Sequence, residues 1–279
     1  MKAAVTVCLV GEARQGPFVY HGDGPEEALA AGLAGAAEFG LDGVEVFPAG
    51  GEQLAACRLA GRLAGAGLRL AAVGSGAGWL RHRLTLTHAE RAVRDDARDF
   101  ILGLVNVAAD LGAPVIVGSM QGRHEGEVSR AGALDHLADG LADLGRHARQ
   151  RGQELLYEPL NRYETNLFTR LADAADFLRR RGIAGVRLLA DLFHMNIEEA
   201  DPAAALAAAG DLVGHVHWAD SNRRFMGAGH TDAAAAARAL ASIGYAGWLS
   251  AEVFPDPDAA TAARMTAASV RLHAGRATA

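Results

Sequence analysis

The chain has 279 residues, half of them apolar and 22% charged, with a formal net charge of −6. Such a chain can bury a full core in one large domain or two small ones, and its acidic balance gives no footing for nucleic acid or an anionic membrane as the main partner. Two cysteines, Cys8 and Cys57, cannot build a disulfide framework, and both sit in apolar patterns that read as core.

The opening "MKAAVTVCLVGEARQG" carries a lysine and a short apolar run, as a secretion signal does. It has no small-residue cleavage site, and Glu12 and Arg14 follow at once, so it reads as a first β-strand. No stretch reaches the roughly 18 apolar residues of a membrane span, which leaves a soluble, cytoplasmic protein as the expectation.

Short apolar runs recur along the chain: Val5 to Val10, Gly43 to Phe47, Arg69 to Val73, Pro114 to Gly118, Gln153 to Glu158, Val186 to Ala190, Leu212 to His217 and Trp248 to Glu252. Runs this short, bounded by Gly, Pro or charge, suit strands covered on both faces. Helical patterns separate them: Pro25 to Phe39, Glu52 to Ala66, His88 to Leu111, Leu134 to Arg151, Leu171 to Arg181, Pro202 to Ala209, Asp232 to Ile243 and Asp258 to Leu272. The first two end at Gly40 and Gly67, as helix C-termini often do. Eight βα units predict an α/β fold, a (β/α)8 TIM barrel, as one domain over residues 1–279. An open doubly wound sheet is disfavoured, because "GEARQG" after the first strand is no phosphate loop. The glycine run "GSGAG" (74–78) fits no nucleotide fingerprint and is expected to be a flexible loop over the barrel mouth. The tail from residue 273, "HAGRATA", is expected to fray.

In such a barrel, chemistry sits at the C-terminal ends of the strands. Four successive strands in the second half end on Glu158, Asp191, His217 and Glu252. An acid ending a buried strand three residues before His194 has an ordinary reading as a helix cap. Four polar ends in register outweigh that reading for Asp191. Three acids meeting in one mouth would repel, raising their pKa values, unless a cation sits among them. Oxygen-rich ligands plus one imidazole suit Mn²⁺, Mg²⁺ or Co²⁺ better than structural zinc, and no CxxC or HExxH spacing is present. His215, two residues before His217, points the same way and is expected as a hydrogen-bonded residue one layer below.

"EPLNRYE" (158–164), "DLFHMNIEE" (191–199), "GHVHWADSNRR" (214–224), "GAGHTD" (227–232) and "EVF" (252–254) together resemble the xylose-isomerase-like sugar isomerase/epimerase superfamily, and within it the D-tagatose 3-epimerase (ketose 3-epimerase) group. The resemblance covers about residues 153–255; the N-terminal half shares only the βα rhythm. It implies one divalent metal, Mn²⁺ first with Mg²⁺, Co²⁺ or Zn²⁺ as alternatives, held by Glu158, Asp191, His217 and Glu252. It implies that Glu158 and Glu252 double as the acid/base pair, that His194 and Arg223 bind substrate oxygens, and that Glu164 contacts the sugar or supports the site. By analogy it implies a homodimer or homotetramer acting on a small carbohydrate or keto acid.

The implied activity is ketose 3-epimerisation through an enediolate. The alternatives are a hydroxypyruvate-isomerase-type reaction and a lyase or dehydratase acting on an inosose or 3-oxo-glycoside. A nuclease of the endonuclease IV type shares the barrel, but this chain lacks the additional His cluster and a basic face. A non-catalytic binding barrel is a further alternative. Arg81, His82, Arg83 and Arg123, in the loops "WLRHRLTLTH" (79–88) and "QGRHEGE" (121–127), are either solvated surface or a grip on a carboxylate or phosphate. Trp79, Trp218 and Phe254 either wall the sugar site or simply pack. "SNRRFMGAGHTD" is expected to be a loop closing over the ligand, with Thr231 or Asp232 capping the next helix, and "NIEE" to start a helix.

Overall fold

The computed structural model describes residues 1–275. In chain order the elements are β1 (Lys2–Cys8), α1 (Pro25–Glu38), β2 (Gly43–Phe47), α2 (Gly51–Ala56), α3 (Leu59–Ala66), β3 (Arg69–Gly74), α4 (Ala77–His82), α5 (Arg91–Asp110), β4 (Val115–Val117), α6 (Arg130–Gln150) and β5 (Leu155–Tyr157). They continue with α7 (Leu171–Arg180), β6 (Val186–Asp191), α8 (Leu192–Glu198), α9 (Pro202–Ala209), β7 (Val213–His217), α10 (Ala233–Ser242), β8 (Trp248–Ala251) and α11 (Ala259–Ala274). The eight strands pair in parallel in sequence order, and β1 also pairs with β8, so the sheet closes into a TIM barrel. No helix among the described residues is long and apolar enough to cross a membrane.

Alternation along each strand divides the core in two. Outward residues such as Val5, Val7, Val44 and Val46 pack under the helices, and Gly32 lets α1 lie directly on Val7. The lumen is divided again by chemistry. Ala72, Ile116, Leu156 and Leu189 from β3 to β6 form an apolar plug. On β1, β2, β7 and β8 the corresponding interior residues are Thr6, Glu45, His215 and Ser250, all buried. Polar side chains there need partners, and Thr6 Oγ1 donates to the Ala251 carbonyl at 3.0 Å while His215 meets Glu45 at 2.9 Å. Both cysteines are buried in the core, as expected.

Three local expectations are corrected. The helix expected over Glu52 to Ala66 breaks at Arg58, whose backbone is left-handed with φ 48°. Its first part, α2, is pressed onto α5 where a Cβ on Gly51 would meet the Gly103 carbonyl. "GSGAG" is not a free loop: Gly74 ends β3, Ser75 and Gly76 line the mouth, and Ala77 begins α4. "NIEE" ends a helix rather than starting one, because α8 begins immediately after Asp191. At the C-terminus α11 continues through His273 and Ala274, and residues 276–279 of the expected tail lie outside the described residues.

Candidate metal centre at the barrel mouth

Glu158 follows β5, Asp191 and His217 end β6 and β7 in register with each other, and Glu252 follows β8. These four ends bring one ligand atom each to within 4.8 Å of one another. His217 Nδ1 lies 3.2 Å from Asp191 Oδ2, 3.4 Å from Glu158 Oε1 and 3.4 Å from Glu252 Oε2. Glu158 Oε1 is buried and makes no hydrogen bond, which is costly for a carboxylate oxygen unless something cationic meets it. Burial pushes Glu158 up and Glu252 up to about 8. Burial also opposes ionisation of Asp191, but the Arg223 guanidinium and the hydrogen bond to His217 hold that carboxyl well below its ordinary value. Two buried acids and a part-buried one facing one imidazole nitrogen fit a divalent cation by donor type and by the orphaned oxygen.

Asp191 is a helix cap, and it has a second oxygen left over for the cluster. Its Oδ1 caps α8, accepting from the N–H of Phe193 at 2.8 Å and of His194 at 3.4 Å. Its Oδ2 turns the other way, into the cluster. The cap fixes the rotamer that presents Oδ2.

His194 is placed by α8 against the same cluster. Its Nδ1 lies 2.8 Å from Asn161 Nδ2, whose own orientation is set by Tyr163 N–H donating to Asn161 Oδ1 at 2.9 Å. An amide NH₂ can only donate, so His194 Nδ1 accepts and its proton resides on Nε2. Burial lowers the imidazole to about 3, so the ring is neutral. Nε2 lies 3.8 Å from Glu158 Oε1 and 3.7 Å from Asp191 Oδ2. Glu164 accepts from Asn161 Nδ2 at 2.8 Å, and it lines the cavity.

Arg223 enters from the loop after β7. Its guanidinium stands 3.1 Å from Asp191 Oδ2, contacts Glu252 Oε2, and lies 4.6 Å from the centre of the Phe193 ring. The backbone of Arg223 is left-handed, φ 57°, which a non-glycine residue adopts only under tertiary constraint. Asp220 provides that constraint: its carboxylate accepts from the N–H groups of Ser221 at 2.7 Å, Gly227 at 2.7 Å and Thr231 at 3.0 Å. Phe254 N–H then donates to the Arg223 carbonyl at 2.8 Å, tying the loop to the segment after Glu252. Asp232 caps α10 through Ala235 N–H.

Burial opposes ionisation of Asp220, but the backbone N–H groups of Thr231, Gly229, Ser221 and Gly227 bring it from 3.8 down to about 2. A depressed folded-state value means stability present above about pH 4 and lost as pH falls towards 2. Asp220→Ala is therefore expected to cost about 3 kcal/mol at neutral pH, from three lost charge-assisted hydrogen bonds. Urea denaturation should show that gap narrowing from about pH 4 downwards, and a pH-independent gap would contradict it.

Glu158, His217 and Glu252 of the cluster line a cavity of about 160 Å³, as does Glu45. Pro17, Phe47, Ser75, Ile116, Ser119 and Leu160 complete much of its wall. Arg81, His82, Arg83 and Arg123 do not line it: Arg81 pairs with Glu12, Arg83 stacks on Trp79 and His82 faces Phe100. Nor do the suggested aromatic walls. Trp218 is fully buried with Nε1 donating to Ser269 Oγ, and Trp79 and Phe254 stand half-exposed outside. Sequence reasoning missed Glu45, Asn161, Asp220 and Phe47. The acid in the middle of the buried strand "GVEVF" was the one visible signal among them.

Residues 33–271 match the xylose isomerase-like TIM barrel family. The match reaches well into the N-terminal half, beyond the segments that carried the resemblance. The chain is 32% identical over 240 residues to an L-ribulose 3-epimerase of Mesorhizobium japonicum, covering 85% of this chain and 79% of that one. It is 37% identical over 113 residues to a 3-dehydro-D-guloside 4-epimerase of Escherichia coli, covering 40% of this chain and 43% of that one. Among solved structures, a D-allulose 3-epimerase of Methylomonas sp. in complex with D-allulose superposes with a TM-score of 0.82 at 24% identity, over 98% of this chain and 97% of that one, a likeness of fold.

Proposed function

The chain belongs to the xylose isomerase-like TIM barrel family, and from that premise we propose that it is a divalent-metal-dependent sugar epimerase that inverts C3 of a ketose through an enediolate. The observation that carries this reading is the convergence of Glu158, Asp191, His217 and Glu252 on one point at the barrel mouth. A divalent ion held by those four, Mn²⁺ in the first instance, supplies the fixed positive charge that an enediolate oxygen needs.

The chain's own groups divide the remaining work. Inversion requires proton removal on one face of C3 and delivery on the other, hence two opposed bases. Glu158 and Glu252 fill those roles, each raised by burial towards the range in which a carboxyl both takes and gives a proton. Asp191, kept ionised by the Arg223 guanidinium, serves as a ligand only. His194 donates from Nε2 and Arg223 from its guanidinium to substrate oxygens, and Glu164 accepts from a sugar hydroxyl. The substrate is an uncharged polyol, because Arg223, already committed to Asp191 and Glu252, is the cation among the cavity-lining residues, beside acids, hydroxyls and apolar groups. A phosphate or carboxylate there would lose its hydration without a free charged partner.

Incubation with D-fructose, D-tagatose and L-ribulose in D₂O with Mn²⁺ should carry deuterium into C3 of at least one of them and yield its C3 epimer. No exchange into any ketose would sink the reading. The 37% identity to the 3-dehydro-D-guloside 4-epimerase favours a second reading on the same chemistry. There the ketone lies at C3 of a glycoside and the exchanged hydrogen at C4. A 3-keto-glycoside included in the same experiment separates the two, and loss of water or aglycone would instead indicate a lyase.

A further inference from the structure

Glu45 stands in the middle of β2, across the lumen from β7, and its carboxylate is shared between two imidazoles. Oε2 lies 2.9 Å from His215 Nε2 and Oε1 lies 3.1 Å from His217 Nε2. The contacts span 170 and 172 residues of sequence, and all three side chains are buried. An ionised carboxylate only accepts, so both imidazoles present their Nε2–H to it. His215 Nδ1 is buried with no hydrogen-bond partner. A ring with its proton on Nε2 leaves a lone pair there rather than a stranded N–H, which agrees with the same assignment.

We propose that Glu45 is the positioning residue of the metal centre: by accepting the Nε2–H of His217 it holds that ring in the one tautomer whose Nδ1 lone pair faces Glu158, Asp191 and Glu252. The inference rests on the metal-centre reading above. The competing tautomer is a real alternative. Asp191 Oδ2 lies 3.2 Å from His217 Nδ1 and would accept a proton placed there, closing the nitrogen to a cation. A carboxylate behind the ring tips the choice, and a partner of this kind also raises ligand basicity. His215 is the second anchor: held to Oε2, it keeps the Glu45 carboxylate turned so that Oε1 meets His217. The rings of His215 and His217 meet edge-on, 5.7 Å between centroids.

Glu45, His215 and His217 also lie close enough to hold an ion of their own. We assign them as a hydrogen-bonded chain instead. Their facing atoms already pair at hydrogen-bond distances, and each Glu45 oxygen has its own imidazole N–H.

Zn²⁺ is the suitable probe, being diamagnetic. Titration calorimetry on wild type should give one Zn²⁺ per chain. Nitrogen-15 NMR of the histidine-labelled, Zn²⁺-loaded protein should show His217 protonated at Nε2 and metal-shifted at Nδ1. Glu45→Ala should weaken Zn²⁺ binding by about 10–100-fold and remove the Nε2–H signature. Glu45→Gln, which keeps one acceptor oxygen for two N–H donors, should fall between. Folded variants that bind Zn²⁺ as tightly as wild type overturn the inference while leaving the metal centre standing. So does a second Zn²⁺ per chain that Glu45→Ala abolishes. Wild-type protein that takes up no Zn²⁺ overturns the metal-centre reading and this inference with it. Should the variants fail to fold, the wild-type spectrum decides, since a His217 bound through Nε2 or protonated at Nδ1 is incompatible with the assignment.

Discussion

Glu158→Gln and Glu252→Gln, each saturated with Mn²⁺, are both expected to lose epimerisation by on the order of 10²–10⁴-fold, but to fail in opposite ways. If each carboxylate serves one face of C3, removing one leaves the other able to lift and return the proton of a single epimer. That epimer keeps exchanging its C3 hydrogen with D₂O without inverting, and its partner becomes inert. The complementary variant should show the reverse. Asp191→Asn, which removes a ligand rather than a base, should depress exchange of both epimers alike. The assay is proton NMR of each epimer in D₂O, with metal content measured on the same samples. If the same epimer continues to exchange in both glutamine variants, one base serves both faces and the pair assignment is wrong. If both variants lose metal along with all exchange even at saturating Mn²⁺, Glu158 and Glu252 act as ligands alone.

That asymmetry is testable because the strand ends were legible from sequence. A buried strand that stops on an acid or histidine, four times in succession at one βα spacing, leaves little freedom: closure of the barrel puts those ends at one rim. Trp218, left between walling the sugar site and packing, follows period-two alternation after His217 and is fully buried away from the cavity. What stayed hidden depended on contacts that no local pattern encodes. Glu45 looks like an isolated acid in an apolar strand until β7 arrives 170 residues later. The entry of Arg223 depends on a left-handed residue in a loop organised by Asp220, and the break at Arg58 depends on another. Asp191 looked like a choice between cap and ligand because the sequence does not reveal that its two oxygens diverge.

Gly118 is the sharpest case of an illegible functional position, and it carries the second large expected effect. A Cβ added there would lie 2.5 Å from Glu158 Oε2, so the carboxylate would have to retreat by about 1 Å to reach ordinary contact. The backbone of Glu158 cannot follow. Its N–H donates to the Val117 carbonyl at 3.1 Å and its carbonyl accepts from Gln121 Nε2 at 2.9 Å. Gln121 is itself locked by the Tyr157 hydroxyl at 2.8 Å and by the Gly118 carbonyl at 3.0 Å. The side chain alone gives way, and it gives way out of the cluster. Gly118→Ala is therefore expected to fold and melt close to wild type while losing about 10²-fold in turnover, the usual effect of a 1 Å misplacement at a reacting centre. Mn²⁺ affinity should fall in parallel. Gly65→Ala supplies the control, since a Cβ there meets nothing within 4 Å and alanine favours the helix by about 0.5–1 kcal/mol. Wild-type turnover and metal affinity in Gly118→Ala would show that Glu158 does not need its observed position. A large fall in melting temperature would show instead that Gly118 serves the fold, because the backbone then yields before the carboxylate does.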